Sequence, residues 1–141
     1  MTLEVTVDAG HLLRALENAR HEMASNAVLT SIGLSLLREN QKRHEAHQAP
    51  DGNSWTKLKD KTIARKKDPR WLVEEGDMLR FYSRVEGKSV VIGTVDKKAY
   101  WHHAGTKHLP DRPLVGFPSA DERLVDELIE DHLLVILRGV R

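Results

Sequence analysis

Residues 49 to 55 read Ala-Pro-Asp-Gly-Asn-Ser-Trp, and the chain has to reverse direction there. Pro50 fixes one backbone angle, Asp51 is placed to close an Asx turn, and Gly52 accepts a positive φ. The large indole of Trp55 then sits at a defined place just past the turn. Taken alone, the stretch reads as a surface turn with one anchoring aromatic. It also divides the chain, because the residues before it are patterned as helix and those after it begin a strongly basic segment.

Before the turn, Leu3, Val5 and Val7 alternate with Glu4 and Thr6, the period of a half-buried strand. Asp8 is placed to cap the helix that follows. Leu12, Leu13, Leu16, Ala19 and Met23 form that helix's apolar stripe. A second helix is predicted from Ser25 or Asn26 to about His47, with Leu29, Ile32, Leu36 and Leu37 inward. Residues 38 to 47 are almost wholly polar, so the end of this helix, about 33 Å long at 1.5 Å per residue, is expected to project beyond the core.

After the turn, residues 56 to 67 read Thr-Lys-Leu-Lys-Asp-Lys-Thr-Ile-Ala-Arg-Lys-Lys, with Leu58, Ile63 and Ala64 as the available anchors. The expectation is a mobile, extended basic arm projecting over residues 50 to 71. Two runs of strand formers, 78 to 86 and 89 to 95, are separated by Gly87-Lys88 and predict a β-hairpin beside the N-terminal strand. Residues 98 to 104 suit a short helix ended by Gly105. Pro110, Pro113 and Pro118 break regular structure. Ser119 or Asp121 then caps a last helix with Leu124, Leu128, Ile129 and Leu133 inward. The order β-α-α-arm-β-β-α-loop-α is an α+β pattern. It implies a small, mainly antiparallel sheet packed with two N-terminal helices and a C-terminal helix. At 141 residues one domain is expected.

Several function classes are set aside by residue types. The chain has no cysteine, which removes disulfides, thiolate metal sites and cysteine nucleophiles. It contains neither a nucleophile elbow nor a nucleotide-binding glycine loop: Gly105-Thr106-Lys107 lacks the upstream glycine and the preceding buried strand. Three of eight histidines, His102, His103 and His108, lie close together. Adjacent helical residues point about 100° apart and no nearby carboxylate completes a zinc spacing, so a polar helix end explains them too. His44 and His47 fit an exposed polar helix end and receive no role. No catalytic, metal or cofactor residue is assigned, and a non-enzyme is expected. The N-terminus has no signal-peptide pattern, and no apolar run approaches membrane-spanning length, so no membrane partner is expected.

A net charge of +1 gives no global attraction to nucleic acid, so electrostatics must be local. Lys57, Lys59, Lys61, Arg65, Lys66, Lys67 and Arg70 face only Asp60 and Asp68, a local charge of +5 bounded by Trp55 and Trp71. A solvated loop, a phosphate-binding arm or a segment that docks on an acidic protein surface would each use it. An acidic surface is present in the same chain, since Asp121, Glu122, Asp126, Glu127, Glu130 and Asp131 crowd the outside of the last helix. Opposite patches on one molecule permit head-to-tail contacts that close into rings. Assembly accounts for both clusters, whereas nucleic-acid binding accounts for one.

Several motifs occur in order along the chain: the Pro50 to Trp55 turn, the Lys-rich segment, Gly76-Asp77-Met78-Leu79-Arg80, Val91-Ile92-Gly93, Tyr100 through Gly105, and Arg112-Pro113-Leu114-Val115-Gly116. Together they resemble the phage virion morphogenesis family, the tail completion proteins of Mu-like and P2-like tailed phages. The chain departs from the family where Glu75-Gly76-Asp77-Met78 stands in place of a more usual Thr-Gly pair. The resemblance implies a structural virion protein, located in the tail or neck after assembly in the bacterial host cytoplasm. It would complete the head-proximal end of a tail or join tail to head. The implied partners are further copies in a ring, a hexamer, together with tail-tube or tail terminator and head-tail connector proteins, and passing phage DNA. On this reading the basic arm (Trp55, Lys57, Lys59, Lys61, Arg65, Lys66, Lys67) is one contact surface, with Trp55 anchoring its base. The loop His108 to Pro118, with Arg112 as its ion-pairing residue, is a second. The acidic patch (Asp121, Glu122, Asp126, Glu127, Glu130) is the complement. The alternatives are a small nucleic-acid-binding regulator using the same arm, and a toxin-antitoxin or nuclease-like enzyme, which would need a catalytic cluster.

Overall fold

The computed structural model describes residues 10–23, 25–67, 70–72 and 80–139, with Glu4 and Thr6 besides. The expected strand through Leu3, Val5 and Val7, the Asp8 cap and the motif from Gly76 to Leu79 lie outside the described residues. The helices are α1 (Gly10–Met23), α2 (Asn26–Glu45), α3 (Asp60–Arg65), α4 (Lys98–Ala104) and α5 (Ser119–Arg138), with strands β1 (Phe81–Glu86) and β2 (Ser89–Thr94). This is the expected small α+β fold.

The long helix α2 is the centre of the packing. Ser25 caps it, its hydroxyl accepting from the Val28 N–H. One side lies on both hairpin strands and another meets α5, which also packs against α1. Gly33 lies tight against the hairpin: a Cβ there would stand 3.0 Å from Val90 Cγ1 and 3.2 Å from the Ser83 hydroxyl. The strands pair antiparallel from Phe81 opposite Thr94 to Glu86 opposite Ser89, around the Gly87-Lys88 turn that the sequence predicts.

Most of the buried apolar residues fall into two groups. Val28, Ile32 and Leu36 of α2 gather Met23, Ile92, Val125 and Leu128. Ala49, Trp55, Leu58, Leu72, Ala99 and Leu114 form the second group, with Trp71 and Val115 against it. The second group is built almost entirely from loops and the short helix α4, so it depends on turn geometry. Gly52 has φ +87° and donates its N–H to the Ala49 carbonyl, while Asp51 Oδ1 accepts from the Asn53 N–H, which is the expected Asx turn. Gly105 ends α4 at φ +74°, also as expected. Gly116 brings the Pro-rich loop against the first turn, for a Cβ on it would lie 2.8 Å from the Pro50 ring.

Four expectations are corrected. On α1 Ala19 is buried and Met23 half-buried as expected, but Leu13 and Leu16 are exposed and Ala15 is buried; the side chain of Leu12 lies outside the described residues. The polar end of α2 does not project: Asn40 and His44 are among the most buried residues in the chain. Pro118, not Ser119 or Asp121, holds the N-cap position of α5. On α5 Leu124, Leu128 and Leu133 are half-buried, but Ile129 is exposed.

Candidate functional site

The last two turns of α2 and the residue just beyond them organise the ends of the basic segment. After the C-cap Ala46, His47 adopts φ +57° and the chain leaves the helix. Its carbonyl accepts from the Trp55 N–H at 2.7 Å, so the turn folds back on the helix end. The His47 ring stacks on Trp71 with centroids 3.9 Å apart and planes within 5°, and lies 6.4 Å from Trp55. His44, one turn earlier, meets Trp55 edge-on at 5.2 Å and Phe81 at 5.7 Å. Both tryptophans that bound the basic segment are thereby fixed to one helix end. The expected arm has closed ends, and its middle is partly helical as α3, with none of the α3 residues buried.

His44 Nε2 stands 3.2 Å from the Trp71 carbonyl oxygen. A carbonyl only accepts, so this ring nitrogen carries the proton and Nδ1 is left bare, with no hydrogen-bond partner. Burial lowers the His44 pKa below its ordinary value, and the Trp71 bond opposes that only in part. Desolvation lowers the His47 pKa as well. The pair is neutral in the folded state at neutral pH.

Trp55 is buried, and its indole Nε1 donates to the Pro113 carbonyl at 2.9 Å. It anchors the base of the segment from inside the core and offers no surface to a partner. Arg112, expected as an exposed ion-pairing residue, is only 3% exposed. Its Nε donates to the Thr56 carbonyl at 2.8 Å and Nη2 to the Lys57 carbonyl at 3.4 Å. Its own N–H donates to the His102 carbonyl. Arg112 therefore ties α4 and the Pro-rich loop to the root of the basic segment through main-chain acceptors, and burial lowers its pKa. His103 belongs to the same framework, Nδ1 accepting from the Leu114 N–H at 3.1 Å. His108 is exposed, in a turn that Thr106 closes by accepting from the His108 and Leu109 N–H groups.

Asp121, counted in the acidic patch, is buried too. Its two oxygens accept from Arg43 Nη1 at 2.9 Å and Nη2 at 3.0 Å, a two-pronged ion pair with side chains 4% and 14% exposed. Arg43 Nη2 also donates to Asn40 Oδ1 at 3.4 Å. The pair joins α2 to the first turn of α5, where a carboxylate also complements the helix dipole. Beside it, Ile32, Leu36, Ile92, Val115, Phe117 and Val125 line a mostly apolar groove of about 520 Å³.

Of the expected contact residues, Lys57, Lys59, Lys61, Arg65 and Lys67 are exposed and Lys66 is half-buried. Lys57 approaches Asp60 at 3.8 Å, with both side chains open to solvent. Glu122, Asp126, Glu127, Glu130 and Asp131 are exposed along α5. One exposed feature was not expected at all: Tyr100 and Trp101 of α4 are 73% and 54% exposed. The apolar-polar pattern of so short a helix gave no sign that both rings would point outward. Among the described residues no group of three or more His, Asp or Glu is placed to hold a metal ion, and no helix is long and apolar enough to cross a membrane.

The described residues thus form a small α+β body with a basic loop pinned at both ends, an acidic helix face and an exposed aromatic pair. The chain belongs to the phage virion morphogenesis family, whose model matches residues 7–134. Its role is therefore structural, in assembly of the phage virion. No curated protein and no solved structure matches it.

Proposed function

We propose that the protein works at the head-proximal end of the tail, completing it or joining it to the head, as a homo-oligomeric ring and without catalysis. The observation that carries this reading is the presence, on one chain, of two exposed surfaces of opposite sign on different elements. The basic segment from Lys57 to Lys67 and the α5 face from Glu122 to Asp131 can each serve a neighbouring copy. Membership of a virion assembly family supports it. Tail-tube or terminator proteins and head-tail connectors are the partners of the ring's two unlike faces, with DNA passing through its channel.

A nucleic-acid regulator would use the same basic segment, with Trp55 and Trp71 as stacking platforms. Trp55 is buried and Trp71 is already stacked on His47, which weighs against it. The deciding experiment is electron microscopy of lysates from a phage carrying a stop codon in this gene. Filled heads beside separate or overlong tails are expected. Normal infectious particles would remove the tail role, and salt-dependent binding of nucleic acid would then test the regulator.

A further inference from the structure

We propose that the end of α2 is a latch on the far root of the basic segment. Residues 70–72 are held against it in a strained closed state, and protonation of the His44 ring releases them, while the near root at Trp55 to Lys57 stays fixed. The inference does not depend on the ring reading. Strain lies in the backbone: among the described residues, the two non-glycine residues with positive φ are His47, at +57°, and Leu72, at +58°. One is a partner in the stack on Trp71 and the other follows Trp71 directly. A side chain in this conformation costs free energy that neighbouring contacts must offset, and such residues gather at clamps and switches. Here the offset comes from the stack, from the His44 bond to the Trp71 carbonyl at 3.2 Å and from burial of Leu72. Opening gives up these contacts but relieves the strain, and this narrows the gap that a proton has to close.

The geometry around His44 sets the direction of the switch. The residue is buried, Nε2 already donates to the Trp71 carbonyl, and Nδ1 has no partner. A proton added at Nδ1 creates a buried charge and a donor without an acceptor, and both are unfavourable. Trp55 and Phe81 meet the ring edge-on and bring no charge. Of the charged and titratable groups near it, His47 and Arg70 oppose a positive ring and Glu45 favours one, and burial outweighs them. With residues 70–72 lifted away, water reaches the ring, so the open state takes up the proton first. The closed state is therefore fully favoured above about pH 6.5, the ordinary histidine value, and loses ground as pH falls from there. His47 is not the trigger, because a charged ring still attracts an indole face. At the near root, Trp55 Nε1 donates to the Pro113 carbonyl and Arg112 to the carbonyls of residues 56 and 57. Neither an indole nor a guanidinium changes charge in this range, so that root holds.

The test labels the full chain with fluorotryptophan and follows its three fluorine NMR signals, assigned by single Trp→Phe variants, together with the His44 ring signal, from about pH 7.5 to about pH 5. In the wild type the Trp71 signal is expected to become solvent-exposed, read from its solvent isotope shift, with the same midpoint as the His44 ring and below pH 6.5. Trp55 should keep its buried signal. One proton limits the change in the open-to-closed ratio to about tenfold per pH unit. His44→Gln keeps a donor for the Trp71 carbonyl but does not titrate, so its Trp71 signal should stay closed throughout. Should that variant fail to fold, the matched midpoints in the wild type decide. A Trp71 signal that does not move, that moves together with Trp55, that departs from the His44 midpoint, or that moves equally in His44→Gln overturns the latch.

Discussion

Arg43 and Asp121 are 78 residues apart in the chain and form a two-pronged ion pair that water barely reaches. Removing one member strands the other. Asp121→Ala should therefore cost about 3–5 kcal/mol in denaturant unfolding, whereas Arg43→Met combined with Asp121→Leu should cost much less. His44 makes a second test at this scale. Its folded pKa lies below the ordinary 6.5, so the unfolded chain binds the extra proton first as pH falls. The stability contributed by neutral His44 is complete above about pH 6.5 and is lost progressively as pH drops from there through the lower folded value. His44→Phe should lower stability at pH 7.5 by removing the bond to Trp71, yet flatten the decline between pH 7 and 5, read from urea unfolding at each pH. If the decline stayed as steep, other groups would be responsible. None of these roles was legible in the sequence. Arg112, Asp121, Asn40 and His44 were read as exposed because polar residues near a helix end or in a loop usually are. Their partners are carbonyls or side chains on other elements, and local pattern carries no sign of these.

Elements were far more legible where their signals are local. The hairpin about Gly87-Lys88, the stop of α4 at Gly105 and the Pro50-Asp51-Gly52 reversal rest on turn chemistry within a few residues, and the structure shows all three. The apolar stripe of α1 is legible only in part: Ala19 and Met23 face the core as expected, but Leu13 and Leu16 are exposed while the small Ala15 is buried. The contact of α2 with the hairpin depends on a missing side chain. Gly33→Val would push Val90 and Ser83 from their present positions, and we expect a loss of about 1–3 kcal/mol from overpacking. Adding Val90→Ala should recover part of that loss, and a double-mutant cycle by thermal unfolding would show the coupling. Additive losses would mean that the helix and hairpin separate freely there.

At the scale of the whole molecule, the expected property is assembly through charge. Arg65, Lys66 and Lys67 changed together to Glu should leave a monomer with wild-type circular dichroism and abolish assembly, since Arg65 and Lys67 are exposed and Lys66 is only half-buried. Raising salt should weaken wild-type assembly in the same direction. Assembly unchanged in the triple variant would remove the basic segment from the interface. The way this segment is tethered has a mechanical consequence. Trp55 and Trp71 are both held by the end of α2, and Arg112 grips the carbonyls of residues 56 and 57, so the chain between them is clasped at its two roots. A single protease cut within α3 should then behave like an opened bracelet on a fixed wrist. The two pieces would stay together under native conditions and part only in denaturant, and the same site could accept an inserted peptide without disturbing the body that carries it.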